Sequence, residues 1–352
     1  MPAREQELAT GIGFKKQGAL QTALTAADLW TLRSTSFNPS FPEHVNETDA
    51  DDFNKGDEFV TQVFPSHINF PWEWPYYLTS QNAAQVFTFG FGKSVESTPG
   101  AGAFQYVCTL MDPVTDGVNL PATTIVSGLR AGTGGEMLDM ALIGAILDSF
   151  EIKLSSGPGR QNATMTSRWF GCGKYLNNSG IAIPAVTSEN LLQSGGATVI
   201  TINGVDYFAA ATFVETTFGY QNNVPPDGGF FAGSGVMASA GGNYGIRGRM
   251  RQGRRTFSLT HTAELESSST ELALLLAGTE GTATITIEGA VIAGAVKHKL
   301  ILTFHRIRFS AISLGESNEG FTTVVVGSQI MKHPSNGVMT ATIVTDKTGI
   351  CQ

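Results

Sequence analysis

Residues 250–288 read MRQGRRTFSLTHTAELESSSTELALLLAGTEGTATITIE, and the fold expectation grows from them. Phe257 and Leu259, then Ala263 and Leu265, alternate with polar residues, so this part reads as a strand with one buried face. Ser268 to Glu271 spells S-x-x-E, whose hydroxyl and carboxylate suit the open amides of a first helical turn. Leu272, Leu274, Leu275 and Leu276 supply an apolar helix body, and Gly278 supplies a left-handed stop. A second strand follows over 282–288, with Ile285 and Ile287 on one face. It is expected to turn between Gly289 and Gly294 into a long strand, 298–309. Both faces of that strand carry apolar residues, which marks it as central. The unit is therefore strand, short helix, strand pair.

A looser version precedes it. Trp72, Trp74, Tyr76, Tyr77 and Leu78 lead into an Ala-containing stretch, and Pro71 and Pro75 confine any helix to the part after them. Gln105–Met111 then reads as a strand. Phe150, Ile152 and Leu154 alternate with Ser149, Glu151 and Lys153. The turn at 155–159 and a returning strand over 162–170 make a hairpin that ends at Gly171-Cys-Gly173. Thr198–Ile202 is a strand, Asn203-Gly204 a hairpin turn, and Phe208–Thr217 the expected answer. Phe321–Val326 and Thr340–Thr345 complete the sheet. Residues 1–32 read as an N-terminal arm with a helical turn near Ala26–Leu32. The fold class is mainly β: two tandem β-sandwich or barrel domains, 33–180 and 181–352, each with a short flanking α-helix and related by duplication.

Composition supports the β reading. The chain of 352 residues holds 41 Gly, against a usual share of about 7%. Hydrophobic residues make up 41%, enough for a core, while charged residues make up only 15%, against a usual share of about 25%. A surface so sparsely charged suits either contact with other protein chains or an unusually neutral monomer. The net charge of -8 speaks against a dedicated nucleic-acid binder. It leaves room for a smooth acidic surface past which nucleic acid slides. Cys108, Cys172 and Cys351 lack metal spacing and suit a reducing compartment. MPAREQELATG carries no apolar signal core, and the longest apolar runs are too short to span a bilayer, so no membrane insertion is expected.

No motif points to catalysis. Gly90-Phe-Gly92-Lys93-Ser94 resembles a phosphate loop, but the required earlier glycine is Phe87. Gly132-Thr-Gly134-Gly135 is a turn. His261 and Glu264, like His298 and His305, are an odd number of residues apart in strand-like segments and face apart. Gly233-Ser-Gly235 lacks the spacing of a nucleophile elbow. No enzymatic activity, cofactor or metal is expected.

Charge clusters offer the candidate sites. Arg247, Arg249, Arg251, Arg254 and Arg255 form a basic cluster. It reads as a solvated strand edge, as a subunit contact whose forks meet carboxylates, or least readily as a nucleic-acid patch. An acidic stretch with Glu43, Glu47, Asp49, Asp51, Asp52, Asp57 and Glu58 reads as a solvated loop or as the partner of that cluster on a neighbouring subunit. The candidate interface is thus Arg247, Arg249, Arg251, Arg254 and Arg255 against Asp49, Asp51, Asp52 and Glu58. The long Gly-rich segment 219–245 and the N-terminal arm are expected to be mobile in a free subunit and to order on ring stacking.

Several stretches together resemble the major tail (tail tube) proteins of long-tailed bacteriophages of the siphophage type. They are GLRAGTGGEMLDMALIGAILDSF (128–150), FEIKLSSGPGRQNATMTSRWFGCGKY (150–175), the acidic 38–58 segment before an aromatic short helix, INGVDYFAAATFVETTFGYQNN (202–223), the Arg cluster and TELALLLAG (270–278). The resemblance is one of pattern and order over most of the chain. It implies a structural virion protein of the tail, made in the bacterial cytoplasm, that forms rings stacked into a hollow tube for DNA ejection. It implies a homotrimeric ring of pseudo-sixfold symmetry for a two-domain chain, a homohexamer for a single-domain one. Tape measure, tail terminator and distal tail proteins would be partners, and DNA would pass through the lumen without specific binding. The competing reading is a β-sandwich binding module or adhesin, carbohydrate- or host-surface-directed, with Trp72, Trp74, Tyr76 and Tyr77 as a stacking platform.

Overall fold

The computed structural model describes residues 6–19, 22–32, 43–48, 63–69, 71–117, 119–131, 136–156, 161–177, 180–184, 191–194, 199–207, 213–224, 254–264, 270–315 and 322–351. In chain order, strand β1 (Gln6–Gly13) leads through a 3-10 turn (Ala26–Asp28) to β2 (Leu29–Leu32). β3 (Glu43–Thr48) and β4 (Val63–Asn69) pair with each other. β5 (Pro71–Tyr77) enters helix α1 (Ser80–Phe91), which feeds β6 (Gly92–Gly100) and β7 (Ala103–Leu110). β8 (Thr123–Ala131), β9 (Glu136–Ser155), β10 (Gln161–Asn162) and β11 (Thr164–Asn177) follow. β12 (Gln193–Ser194), β13 (Val199–Ile202), β14 (Val205–Asp206), β15 (Phe213–Gln221) and β16 (Thr256–Glu264) precede helix α2 (Thr270–Ala277). β17 (Glu280–Ala293), β18 (Val296–Leu314), β19 (Thr323–Ile330) and β20 (Met339–Thr345) complete the described chain.

The protein is mainly β, built around one large antiparallel sheet with two short helices. Two long strands organise it. β9 pairs with β11 along one side; on the other side its first half pairs with β8 and its second half with β15. β18 repeats the plan, with β17 along one side and β20 then β19 along the other. The expectation of a central strand in this region therefore holds. β15, β16 and β19 bridge the two long strands, and β20 joins β18 to β7. The sheet thus runs across residue 180, the expected domain boundary, and the main core draws residues from both sides of it.

Local chemistry accounts for the helices. The Thr79 side chain accepts the Asn82 amide, and Asn82 Oδ1 accepts the Thr79 amide at 2.8 Å, a reciprocal cap that starts α1 just past Pro75. Gly92, in the left-handed region at φ 82°, ends it. That explains the false phosphate-loop text at Gly90–Ser94: the glycine is a helix stop. Helix α2 likewise ends at Gly278, φ 60°. Ser268, the expected cap, lies outside the described residues.

Several expectations need correction. The stretch expected to be an N-terminal arm contains strands: β1 adds to the edge of β8 and carries β2 with it, satisfying backbone groups that an irregular segment would leave to water, while the helical turn expected near Ala26–Leu32 is there as the 3-10 turn Ala26–Asp28. The 150–154 and 162–170 hairpin is present, but both strands extend further. The apolar run Ala141–Leu147 is part of β9 and is buried throughout, so it lacks the alternation that marks a one-faced strand. At Gly171–Lys174 the register shifts and β11 continues rather than ending. Asn203-Gly204 does turn, both at positive φ, yet it leads only to the two-residue β14. β15 answers β9 and β16 instead of β13. Its Phe218 and Tyr220 rings meet Phe150 at 5.9 and 5.2 Å, and this aromatic contact outweighs a local hairpin. β17 runs on to Ala293, and the chain turns at Gly294, φ 55°, where a left-handed residue is needed. Gly289 serves close packing: a Cβ there would lie 3.3 Å from the Leu191 carbonyl oxygen.

Candidate assembly surfaces

Of the expected interface residues, Arg247, Arg249, Arg251, Asp49, Asp51, Asp52 and Glu58 lie outside the described residues, as does most of the 219–245 segment. Arg254 is exposed, and its carbonyl accepts a hydrogen bond from Asn223 Nδ2. Arg255 is half-buried, and its guanidinium donates to the Met111 carbonyl oxygen at 2.9 Å. Arg255 therefore ties the start of β16 to the segment after β7 within one chain.

Beside these residues the outer face of five neighbouring strands forms a shallow trough of about 600 Å³. Strand order β5-β11-β9-β15-β16 places two rows of side chains across it. One row runs Glu73, Arg168, Ser149, Gln221, Thr256; the next runs Thr166, Glu151, Gly219, Ser258. Gly219 forms the floor, since a Cβ there would lie 2.4 Å from Ser258 Oγ. The Arg168 guanidinium sits 4.9 Å from the Phe170 ring centre, a cation–π geometry. The trough offers hydroxyls, two carboxylates and one guanidinium, a surface for polar contact. The alternation at 149–153 was legible; that β15 and β16 would lie beside it was not.

At the switch point of β9 a polar network is buried. Asn222 Nδ2 donates to the carbonyls of Gly90 and Leu147, both at 3.0 Å, and its Oδ1 accepts the Tyr220 hydroxyl at 2.6 Å. Asp148, bulged between the β8 and β15 pairings, accepts the Val224 amide at 2.8 Å. These groups fasten the end of α1 to the place where β9 changes partner.

His261 and His298 are packed inside the protein. His261 is buried, with Nδ1 2.7 Å from Thr216 Oγ1 and its ring centre 3.9 Å from that of Tyr207. Burial pushes its pKa down to about 3. His298 lies 2.7 Å from Ser80 Oγ, and burial lowers its pKa as well. Among the described residues no three His, Cys, Asp or Glu side chains gather to hold a metal ion. Trp72, Trp74 and Tyr76 are buried in the core, so they cannot serve as a stacking platform for a ligand. Among the described residues no helix is long and apolar enough to cross a membrane.

Helix α2 exposes part of its apolar surface. Leu274 and Leu275 pack against the core, while Leu272, Ala273, Leu276 and Ala277 face out, Leu276 79% exposed. The edge strands also matter: among the described residues β6 pairs with β7 alone and β5, in the sheet, with β11 alone. Pro71 and Pro75 limit β5 as an acceptor of a further strand, whereas β6 has no proline from Gly92 to Thr98.

A scan against protein-family models matches no family, and a search of the curated proteins finds no match.

Proposed function

We propose that this chain is the tail-tube subunit of a long-tailed bacteriophage, a structural virion protein that self-assembles into stacked rings around a DNA conduit. The observation that carries the reading is the repeated unit. Strand, helix and hairpin occur as β5–α1–β6–β7 and again as β16–α2–β17–β18, each helix ended by a left-handed glycine. Two similar units in one chain make six around a threefold ring, which is the pseudo-sixfold arrangement of the resemblance in residues 128–175 and 202–278. In this reading 33–180 and 181–352 are the two tube-like halves, held together in the single chain by shared strand pairing. The sparse charge and the outward apolar face of α2 support a surface made for other copies. Partners are then further copies of the chain and other tail proteins, and DNA passes through without sequence-specific contact.

Negative-stain electron microscopy of the purified chain tests this. Rings with threefold symmetry and six lobes, or hollow filaments, are expected. Discrete monomers at every concentration up to hundreds of micromolar, with sedimentation of a single 37.3 kDa species, would sink it.

A further inference from the structure

The chain holds two Asn-Gly pairs, each continued by valine: Asn203-Gly204-Val205 and Asn336-Gly337-Val338. Asparagine before glycine is open to a reaction with its own backbone. The glycine amide nitrogen attacks the asparagine side-chain carbonyl carbon, since glycine has no Cβ in the way and lets the chain turn toward it. Both pairs sit in turns, and both glycines have positive φ, 84° and 78°. Their sequences are alike, and the fold separates them. Asn203 is 8% exposed. Its Nδ2 donates to the Thr279 carbonyl oxygen at 3.3 Å, and its backbone amide to the Thr282 carbonyl oxygen at 2.9 Å. Its Oδ1 lies so close to Gly281 that a Cβ there would collide with it. Among the described residues the Gly204 amide has no bonding partner, so what protects this pair is the enclosure of the Asn203 side chain. Asn336, in the turn between β19 and β20, is exposed. Its backbone amide donates to His333 Nδ1 at 3.2 Å, while its side chain makes no hydrogen bond among the described residues. The Gly337 amide, the attacking group, is held by one bond, to the His333 carbonyl oxygen at 3.2 Å. Opening that bond in an exposed turn is a smaller local event than drawing Asn203 out from beside the end of α2.

We propose that Asn336 is a site of spontaneous modification in the folded protein, converting to aspartyl and isoaspartyl forms through a cyclic imide with Gly337, while the fold keeps Asn203 intact. In the first step the bond from the Gly337 nitrogen to Asn336 Cγ forms and the Cγ–Nδ2 bond breaks. Ammonia leaves, carrying the proton that the Gly337 amide gives up. Water then adds to one of the two imide carbonyls. Where the Gly337 nitrogen parts from Cγ, the main chain is restored with an aspartate; where it parts from the main-chain carbonyl carbon, the peptide link runs through the side chain as isoaspartate. The net change is amide and water to carboxylate and ammonium, with no oxidant or reductant. Each conversion adds a negative charge to the turn that carries Lys332. The isoaspartyl form also adds a methylene to the main chain between His333 and Gly337, which bond each other at 2.7 and 3.2 Å. That turn lies where β18 exchanges partners: its β20 pairing ends at Phe304 and its β19 pairing begins at Ile307. The reaction needs no other chain, so it is independent of assembly.

The test uses the full chain, incubated in mildly alkaline buffer at physiological temperature, both folded and in guanidinium chloride. Its peptides are followed by mass spectrometry, with the aspartyl and isoaspartyl products resolved by chromatography. In denaturant the two pairs are expected to convert at similar rates, because their local sequences match. In the folded protein Asn336 is expected to convert faster than Asn203 by roughly tenfold or more, an opening cost of about 1.4 kcal/mol or more for the enclosed turn. Asn336→Gln is expected to remove the products at that position and leave the Asn203 rate unchanged. Equal or reversed rates in the folded protein would overturn the proposal. So would a folded protein in which both pairs stay intact while both react in denaturant, since the Gly337–His333 bond would then be protection enough. An Asn336 that keeps its amide even in denaturant would overturn it at the first step.

Discussion

Helix α1 follows β5 and feeds the β6–β7 hairpin; helix α2 follows β16 and feeds the β17–β18 hairpin. The less apolar of the two is the one that is buried. SQNAAQVFTFGF has every residue but Gln81 buried, while TELALLLA, Leu or Ala at six of its eight positions, has none. The difference lies in the layers around them. α1 is held between its own hairpin and the aromatic face of β9 and β15, with Phe87 4.9 Å from Phe150 and Phe91 5.2 Å from Tyr220. Its polar side chains are used inside: Gln85 donates to the Gly13 carbonyl oxygen, and Ser80 meets His298. α2 rests on β18 with nothing of this chain over its other face among the described residues. Helix burial in this protein follows the number of layers that the topology places around the helix, not the apolarity of the helix itself.

The largest test of that contrast is Phe87→Ala. Removing a fully buried ring from between two layers should cost about 3–5 kcal/mol of stability, read from chemical denaturation. A loss below about 1 kcal/mol would mean that α1 is less firmly enclosed than its neighbours indicate.

The two helix-ending glycines give a matched pair. Both hold positive φ, so Gly278→Ala should cost about 1–2 kcal/mol from backbone strain alone, its Cβ meeting open space. Gly92→Ala should cost more, because its Cβ would come within 2.5 Å of Met111 Sδ. Equal melting shifts for the two would remove the distinction between an enclosed unit and an open one.

Acid should act through the core beside α2. The folded-state pKa of His261, about 3, lies below its unfolded value near 6.5, so unfolding takes up a proton as pH falls. Its contribution is fully present above about pH 6.5 and is lost progressively below it, by roughly 1.5 kcal/mol on reaching pH 5. His298 and His305 shift in the same direction, burial being the leading cause for each. Denaturation curves at pH 7, 6 and 5 for the unsubstituted protein and His261→Gln should therefore converge as pH falls. Parallel curves would show that His261 does not carry this dependence.

The smallest effect is expected on the outer face of α2. Leu276→Ser should change monomer stability by no more than about 0.5 kcal/mol, because the side chain is already in water. A loss of several kcal/mol would mean that α2 is covered within its own chain, and the contrast between the helices would disappear.

Much of the architecture could be read from the amino acids alone. Alternation over 257–263 and 150–154, the limit that Pro75 sets on a helix before α1 and the glycine stop at 278 act through the nearest few residues, and local sterics and hydrogen bonding determine them. The repeated order of strand, helix and hairpin follows from the same signals. Partner choice was out of reach. That β15 would pair with β9 rather than β13, that β1 would join β8, and that β20 would stitch β7 to β18 depends on contacts between residues far apart in sequence. Aromatic packing around Phe150 and the network at Asn222 hold β15 against β9, and neither leaves a periodic trace. The trough follows partner choice, since its rows exist only once five separate strands lie side by side. So does the contrast between the helices: sequence determines that SQNAAQVFTFGF and TELALLLA are helical, while burial is a property of what lies on either side, which the tertiary structure alone decides.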